Sequence, residues 1–295
     1  MTPYNFKQVD VFTTRPFYGN PVAVVLDASG LDAEDMQRIA AWTNLSETTF
    51  VLPATVTGAD YRLRIFTPRQ ELPFAGHPTI GSAHAILESG LVKPVAGRLV
   101  QECGAGLLGL RVEGDRADRR IFVKVPQPKI QQIDAAFYAV INAALGAQAV
   151  ADAPPLLVNV GPVWLVVDLG NAETVNNLRP DLTAIAQLSA QLPIAGITVF
   201  GRTLTTDPAL CVRSFAPACG VPEDPVCGSG NASVAAFLAH AGMLDAIGYH
   251  YVASQGRALG RDGRVWVHVN RADFSVEIGG ASVTCIDGTL QKWNL

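Results

Sequence analysis

The sequence predicts an α+β protein of two pseudo-symmetric domains, each a barrel-like sheet around a central buried helix. Three observations carry that expectation. A motif occurs twice about half a chain apart, short strand-like runs dominate, and each half holds one helical segment that is apolar or small on almost every side.

The motif is Arg-x-Phe-x-Pro leading into a small residue, a glycine and a helix. Its first copy is Arg64, Phe66, Pro68 and then Ala75-Gly76-His77; its second is Arg213, Phe215, Pro217 and then Cys227-Gly228-Ser229. The arginines lie 149 residues apart and the glycines 152 apart in a chain of 295, a period that means domain duplication and not a solenoid. Fainter echoes extend it: Gly19-Asn20-Pro21-Val22 resembles Gly161-Pro162-Val163, and Thr48-Thr49-Phe50-Val51 resembles Ile197-Thr198-Val199-Phe200.

Taken in order, the first half shows strand signals at Gln8 to Thr13, Val22 to Leu26, Thr49 to Leu52, Tyr61 to Phe66, Leu107 to Val112 and Arg120 to Val125. The second half shows them at Leu156 to Val160, Trp164 to Asp168, Gly196 to Phe200, Cys211 to Phe215, Gly248 to Ala253, Arg264 to Val269 and Phe274 to Gly279. Helices are expected at Leu31 to Ala41, with Asp32 as N-cap, and at Asp134 to Leu145 and Leu182 to Leu192. Two more, Pro78 to Glu88 and Ser229 to His240, follow the repeated glycine turns and stop at Gly90 and Gly242. Having little polar surface, they should be buried. The Pro-rich, polar stretch after Val125 marks the boundary, giving domains 1–128 and 129–279, with a tail 280–295 of strand character that could return to the first domain.

Composition removes several classes of function. Net charge is −4 without a long run of one sign, so neither nucleic acid nor an anionic membrane is expected as a partner. No signal-length or membrane-spanning apolar segment occurs, and five scattered cysteines suit reduced thiols, so a cytoplasmic protein is expected. The histidines show no metal-ligand spacing, and no phosphate-loop or dinucleotide glycine pattern precedes a helix; neither metal nor cofactor is expected.

Glu47, in Asn44-Leu45-Ser46-Glu47-Thr48, stands at a strand start with Trp42, Leu45 and Phe50 nearby. An isolated Glu is ordinarily a solvated turn residue; among apolar neighbours it can instead serve as a general base. Its counterpart in the second half is Gly196, as a site with a single base would have. The turns at Gly76-His77 and Gly228-Ser229 present helix-start N–H groups suited to a carboxylate or a developing oxyanion, and two facing domains would bring them together across a cleft. Ordinary capping explains one such turn; a matched pair favours ligand binding. His77 is the one histidine in a repeated turn, and Asp224 in Glu223-Asp224-Pro225 can be presented to the same place. Cys227 could act as one of two thiols in an amino-acid racemase, but Ala75 stands where the second would be.

Together these segments resemble the PhzF-like phenazine-biosynthesis isomerase family, whose fold is that of diaminopimelate epimerase. The resemblance runs nearly end to end: Val9-Asp10-Val11-Phe12 with Gly19-Asn20-Pro21, Asn44 to Thr48, Phe66-Thr67-Pro68, Glu71 to Thr79, Glu223 to Val226 with Gly228-Ser229, and Gln255-Gly256. It implies a cofactor-independent isomerase in which Glu47 moves a proton between carbons. His77 and Asp224 would assist, while Ser46, Gly76, Gly228 and Ser229 bind the substrate. It also implies a homodimer. Two alternatives stand beside it: a non-catalytic carboxylate-binding protein on the same scaffold, and a racemase or epimerase using Cys227.

Overall fold

A computed structural model describes residues 2–116 and 118–292 of the chain. It divides into two compact units, Met1–Lys124 with Gly279–Leu295, and Val125–Ile278. Among the described residues no helix is long and apolar enough to cross a membrane.

The first unit runs β1 (Thr2–Val11), β2 (Asn20–Leu26), α1 (Ala33–Thr43), β3 (Thr48–Leu52), β4 (Tyr61–Phe66), β5 (Glu71–Leu72), α2 (Gly76–Ser89), β6 (Arg98–Cys103), β7 (Gly106–Glu113) and β8 (Arg120–Lys124). Pairing is antiparallel for β1 with β2, parallel for β2 with β3, antiparallel for β3 with β4 and parallel for β4 with β6. Asp32 caps α1 in a reciprocal box with Asp35. Helix α2 packs on β1, β2, β3 and β8, and every residue from His77 to Ile86 is buried. Its hydroxyls are paired inside, as in Thr49 Oγ1 with Ser82 Oγ at 2.7 Å and Gln101 Nε2 to Thr79 Oγ1 at 3.2 Å. Gly90 ends the helix in the left-handed conformation.

The tail returns to this unit: Ser282–Lys292 pairs antiparallel with β1. The buried Lys7 of β1 is held there by Glu88 of α2 at 3.0 Å and Asp287 of the tail at 2.6 Å. Residues 293–295 of the expected 280–295 strand lie outside the described residues.

In the second unit come β9 (Lys129–Gln132), α3 (Tyr138–Leu145), β10 (Leu156–Asn159), β11 (Val163–Asn171), α4 (Ala172–Asn177), α5 (Leu182–Gln191), β12 (Gly196–Arg202), β13 (Leu210–Ala216), β14 (Val221–Asp224), α6 (Gly228–His240), α7 (Leu244–Ile247), β15 (His250–Gln255), β16 (Gly263–Val269) and the start of β17 (Val276–Gly280), whose last two residues belong to the first unit. The run of pairings is the one seen before: β10 with β11 antiparallel, β11 with β12 parallel, β12 with β13 antiparallel, β13 with β15 parallel. Helix α6 is buried from Gly230 to Leu238 and packs on β10, β11, β12, β13 and β16. The stretch expected as a polar linker contains β9, paired with β10 although Ile130 is its one apolar residue. Here tertiary pairing overrides composition.

The buried helices need glycine where they meet strands. A Cβ at Gly81 of α2 would overlap Val22 Cγ1 and lie 2.8 Å from Val11 Cγ2. Gly81→Ala should therefore lower stability to urea unfolding by about 1–3 kcal/mol through overpacking, against alanine's higher helix propensity; an unchanged or raised midpoint would show that β1 and β2 yield freely.

Candidate active site

Strand register aligns the two halves residue by residue. Thr48 pairs with Phe66, and Ile197 pairs with Phe215, the second aromatic of the repeated motif. Glu47 thus corresponds to Gly196. At Gly196 a Cβ would collide with the Phe215 carbonyl oxygen, so no side chain fits where the first unit carries its carboxylate.

Glu47 lies just before β3, with its side chain 15% exposed and Ser46 half-buried beside it. Trp42, expected near it, points instead to solvent at 80% exposure, and Phe50 is in the core against Phe66. The neighbour that matters is His77, whose Nε2 is 3.4 Å from Glu47 Oε2. This is not an ion pair at neutral pH: burial pushes the His77 pKa down to about 3, against a hydrogen bond to the Pro21 backbone that favours the charged ring. That bond uses Nδ1, because Nε2 makes none. With Nδ1–H donating to Pro21, the neutral ring turns its Nε2 lone pair toward the carboxyl group. The turn between Ala75 and His77 carries no side-chain cap.

The corresponding turn of the second unit is capped. Cys227 Sγ accepts from the Gly230 N–H at 3.2 Å, and Ser229 Oγ accepts from Trp164 Nε1 at 3.0 Å. Gln255, buried on β15, ties the turn together: its Oε1 accepts from Cys227 N at 3.1 Å and Asn231 Nδ2 at 2.9 Å, and its Nε2 donates to the Asp224 carbonyl at 2.9 Å. Gly228 is buried at the helix start. Asp224 accepts from Val226 N at 3.0 Å and from the Cys227 thiol. Burial, with the Glu223 charge adding, pushes its pKa up to about 6 in spite of those two bonds. Burial and then the Asp224 charge push the Cys227 thiol well above its ordinary value. A thiol so placed stays protonated and makes a poor base.

Sequence reasoning used the arginines of the motif only as markers of the repeat and missed their partners. Arg64 grips Glu71 through two bonds of 2.7 Å, and Arg213 grips Glu223 through two of 2.9 Å. Each is a fork-to-carboxylate clamp from the motif strand to the short strand entering the glycine turn. Recurrence of both Arg and acid was the signal available. It also explains why Asp224 and not Glu223 turns toward the start of α6, where it accepts from Val226 N and the Cys227 thiol. Gln255 and Trp164 carried no comparable signal. Glu47, Ser46, Gly76 and His77 belong to the first unit, and Asp224, Gly228 and Ser229 to the second. Among the described residues, no group of three or more His, Cys, Asp or Glu side chains is gathered for a metal ion.

The Asp224 environment has a pH signature. Unfolded, the carboxyl ionises near 3.8; folded, it keeps its proton until about 6, so this group makes the wild-type protein lose stability as pH rises through that window. The stability of Asp224→Asn relative to wild type should therefore increase from about pH 4 to 6 and level off above. Urea denaturation of both proteins across pH 4 to 7.5 measures this, and a difference independent of pH would place Asp224 at its ordinary value.

The chain is similar to known proteins over nearly its whole length. A Schizosaccharomyces pombe protein named antisense-enhancing sequence 1 is 44% identical over 295 residues, covering 98% of this chain and 99% of its own length. A trans-2,3-dihydro-3-hydroxyanthranilate isomerase of Pseudomonas fluorescens is 33% identical over 292 residues, covering 97% and 99%. The crystal structure of a Bacillus anthracis phenazine biosynthesis protein of the PhzF family matches with a TM-score of 0.87 at 26% identity, covering 99% of this chain and all of that one. Residues 9–288 match the family described as phenazine biosynthesis-like protein, and with that span and these relatives the chain belongs to the PhzC-PhzF family.

Proposed function

We propose that this protein is a cofactor-independent isomerase that moves a proton between two carbons of a small amino or hydroxy carboxylic acid, with Glu47 as the group that carries it. The observation that supports this most is the pairing of Glu47 with a histidine held neutral, 3.4 Å away. The Glu47 carboxylate removes a proton from an acidic C–H; the bond breaks, its electrons enter the conjugated system of the substrate, and an O–H forms on Glu47. An uncharged His77 can accept a hydrogen bond from that O–H through Nε2, which a protonated ring could not do. Delivery to a second carbon restores the carboxylate, so the reaction is balanced and needs no oxidant or reductant.

The N–H groups of the Gly76 and Gly228 turns, with Ser46 and the Ser229 hydroxyl, would take the substrate carboxylate and the negative charge that develops. Asp224, near pH 6 in its titration, can hold a substrate amino or hydroxyl group or supply a proton. The internal repeat is what supports assigning both turns to one substrate. Relatives named trans-2,3-dihydro-3-hydroxyanthranilate isomerase favour a cyclic amino and hydroxy acid within this class. A homodimer in the cytoplasm completes the reading.

Cys227 has no place as the base, since its thiol is raised and already engaged with Asp224, Gly230 and Ser229. In heavy water with a panel of such acids, proton NMR should show exchange or isomerisation that falls at least about 100-fold in Glu47→Gln, with the melting temperature kept. Retained turnover in that variant would remove Glu47 from its role. In the same assay Cys227→Ala should keep the activity; its complete loss, in a folded protein, would restore the thiol mechanism.

A further inference from the structure

Basic side chains are distributed unevenly over the second unit. It contains seven arginines, and six of them (Arg179, Arg202, Arg213, Arg257, Arg261, Arg264) line two cavities of about 1390 and 480 Å³. The cavities adjoin, since Asn176, Thr203, Arg213 and Arg257 line both. The seventh, Arg271, stacks on Tyr249. In a chain whose acids outnumber its bases, so much like charge around one hollow is not a consequence of composition.

Only part of this charge is neutralised in place. Arg213 is held by Glu223 and Arg264 by Asp262 at 2.6 Å, which leaves Glu173 as the one other acid in the lining. Arg179, Arg202 and Arg257 are exposed and make no ion pair within 4 Å among the described residues; Arg179 bonds only the Leu178 carbonyl, and Arg202 feels the charge of Asp168. Asn177, Thr203 and Ser254 add neutral hydrogen-bonding groups, and Leu178, Phe215 and Leu259 an apolar wall. None of Glu47, His77, Asp224 or Ser229 lines either cavity.

We propose that these joined cavities bind a phosphorylated small molecule, its phosphoryl oxygens taken by Arg179, Arg202 and Arg257. Arginine forks match phosphoryl oxygens in pairs, and three arginines outside any close ion pair suit an anion of charge −2 or −3 better than a single carboxylate. Neutral amides and hydroxyls beside an apolar wall fit the organic part of such a ligand. The site is independent of the isomerase reading, although its inner wall includes Glu223, the residue before Asp224.

Calorimetric titration of the full chain with inorganic pyrophosphate tests this, with sodium chloride at matched ionic strength and citrate as controls. Saturable binding at one site is expected, weakened at least about 10-fold in Arg202→Gln/Arg257→Gln, the loss of two charge-assisted contacts. The unliganded melting temperature of that variant should stay near wild type because both side chains are exposed. Should it drop, Arg202→Lys/Arg257→Lys keeps the charge while removing the forks and should still weaken binding. No binding to wild type, a sodium chloride effect of equal size, or undiminished binding in the folded variants would overturn the site; citrate bound as tightly as pyrophosphate would overturn the phosphoryl assignment.

Discussion

Burial of a whole helix, and not of one face, is the constraint from which the rest of this structure follows. Helices α2 and α6 have strands on most sides, so their backbones approach the sheet at glycines and a polar group on them gains by finding a protein partner. Thr79 with Gln101, Ser82 with Thr49, and Asn231 with Gln255 are the consequences. The same constraint sets the chemistry at the helix starts, where water cannot stabilise charge. His77 is held neutral, Asp224 holds its proton to about pH 6, and Cys227 remains a thiol, all with burial as the leading cause.

The second constraint is the entry to each helix. A turn of backbone N–H groups is useful only if it is held still, and the Arg64–Glu71 and Arg213–Glu223 clamps anchor the short strand before it. The first clamp is more exposed than the second, with side chains 20% and 42% exposed against 6% and 11%. An exposed pair contributes little stability, whereas a buried pair strongly resists loss of one partner. The second turn is accordingly the more constrained, with Gln255, Asn231 and the Cys227 cap added to its clamp.

Much of this was legible in the sequence, for identifiable reasons. The repeat, the buried helices and most strands were readable because apolar runs bounded by glycine and proline are local signals. Helix α2 was expected at Pro78 to Glu88 and spans Gly76–Ser89; β4 was expected and found at Tyr61–Phe66. Strand β9 was not readable, because Lys-Ile-Gln-Gln becomes a strand only through pairing with β10. Glu47 and His77 were legible as residue types in special places. Their contact was not, and the apolar surroundings expected from Trp42 were wrong, because a sequence neighbour three to five positions away on a helix end can point to solvent. The roles of Gln255 and Trp164 depend on contacts across 28 and 65 residues, which no local pattern encodes.

The differences between the two copies matter more for the chemistry than their likeness. A symmetric pair of acids would suit removal of a proton on one side of a carbon and return on the other. Here the carboxylate position of the second copy is closed by the approach of the Phe215 carbonyl to Gly196, and the thiol position of the first is Ala75. Each copy thus lacks the side-chain group that the other carries at the matching position. What is left is one carboxylate beside a neutral histidine in the first unit and one protonated thiol beside a carboxyl of raised pKa in the second. Under the isomerase reading such a pair of units favours a single acid that both takes and returns the proton, which constrains the two carbons of the substrate to be within reach of the same oxygen atoms. A conjugated ring acid, whose donor and acceptor carbons share one face, meets that demand.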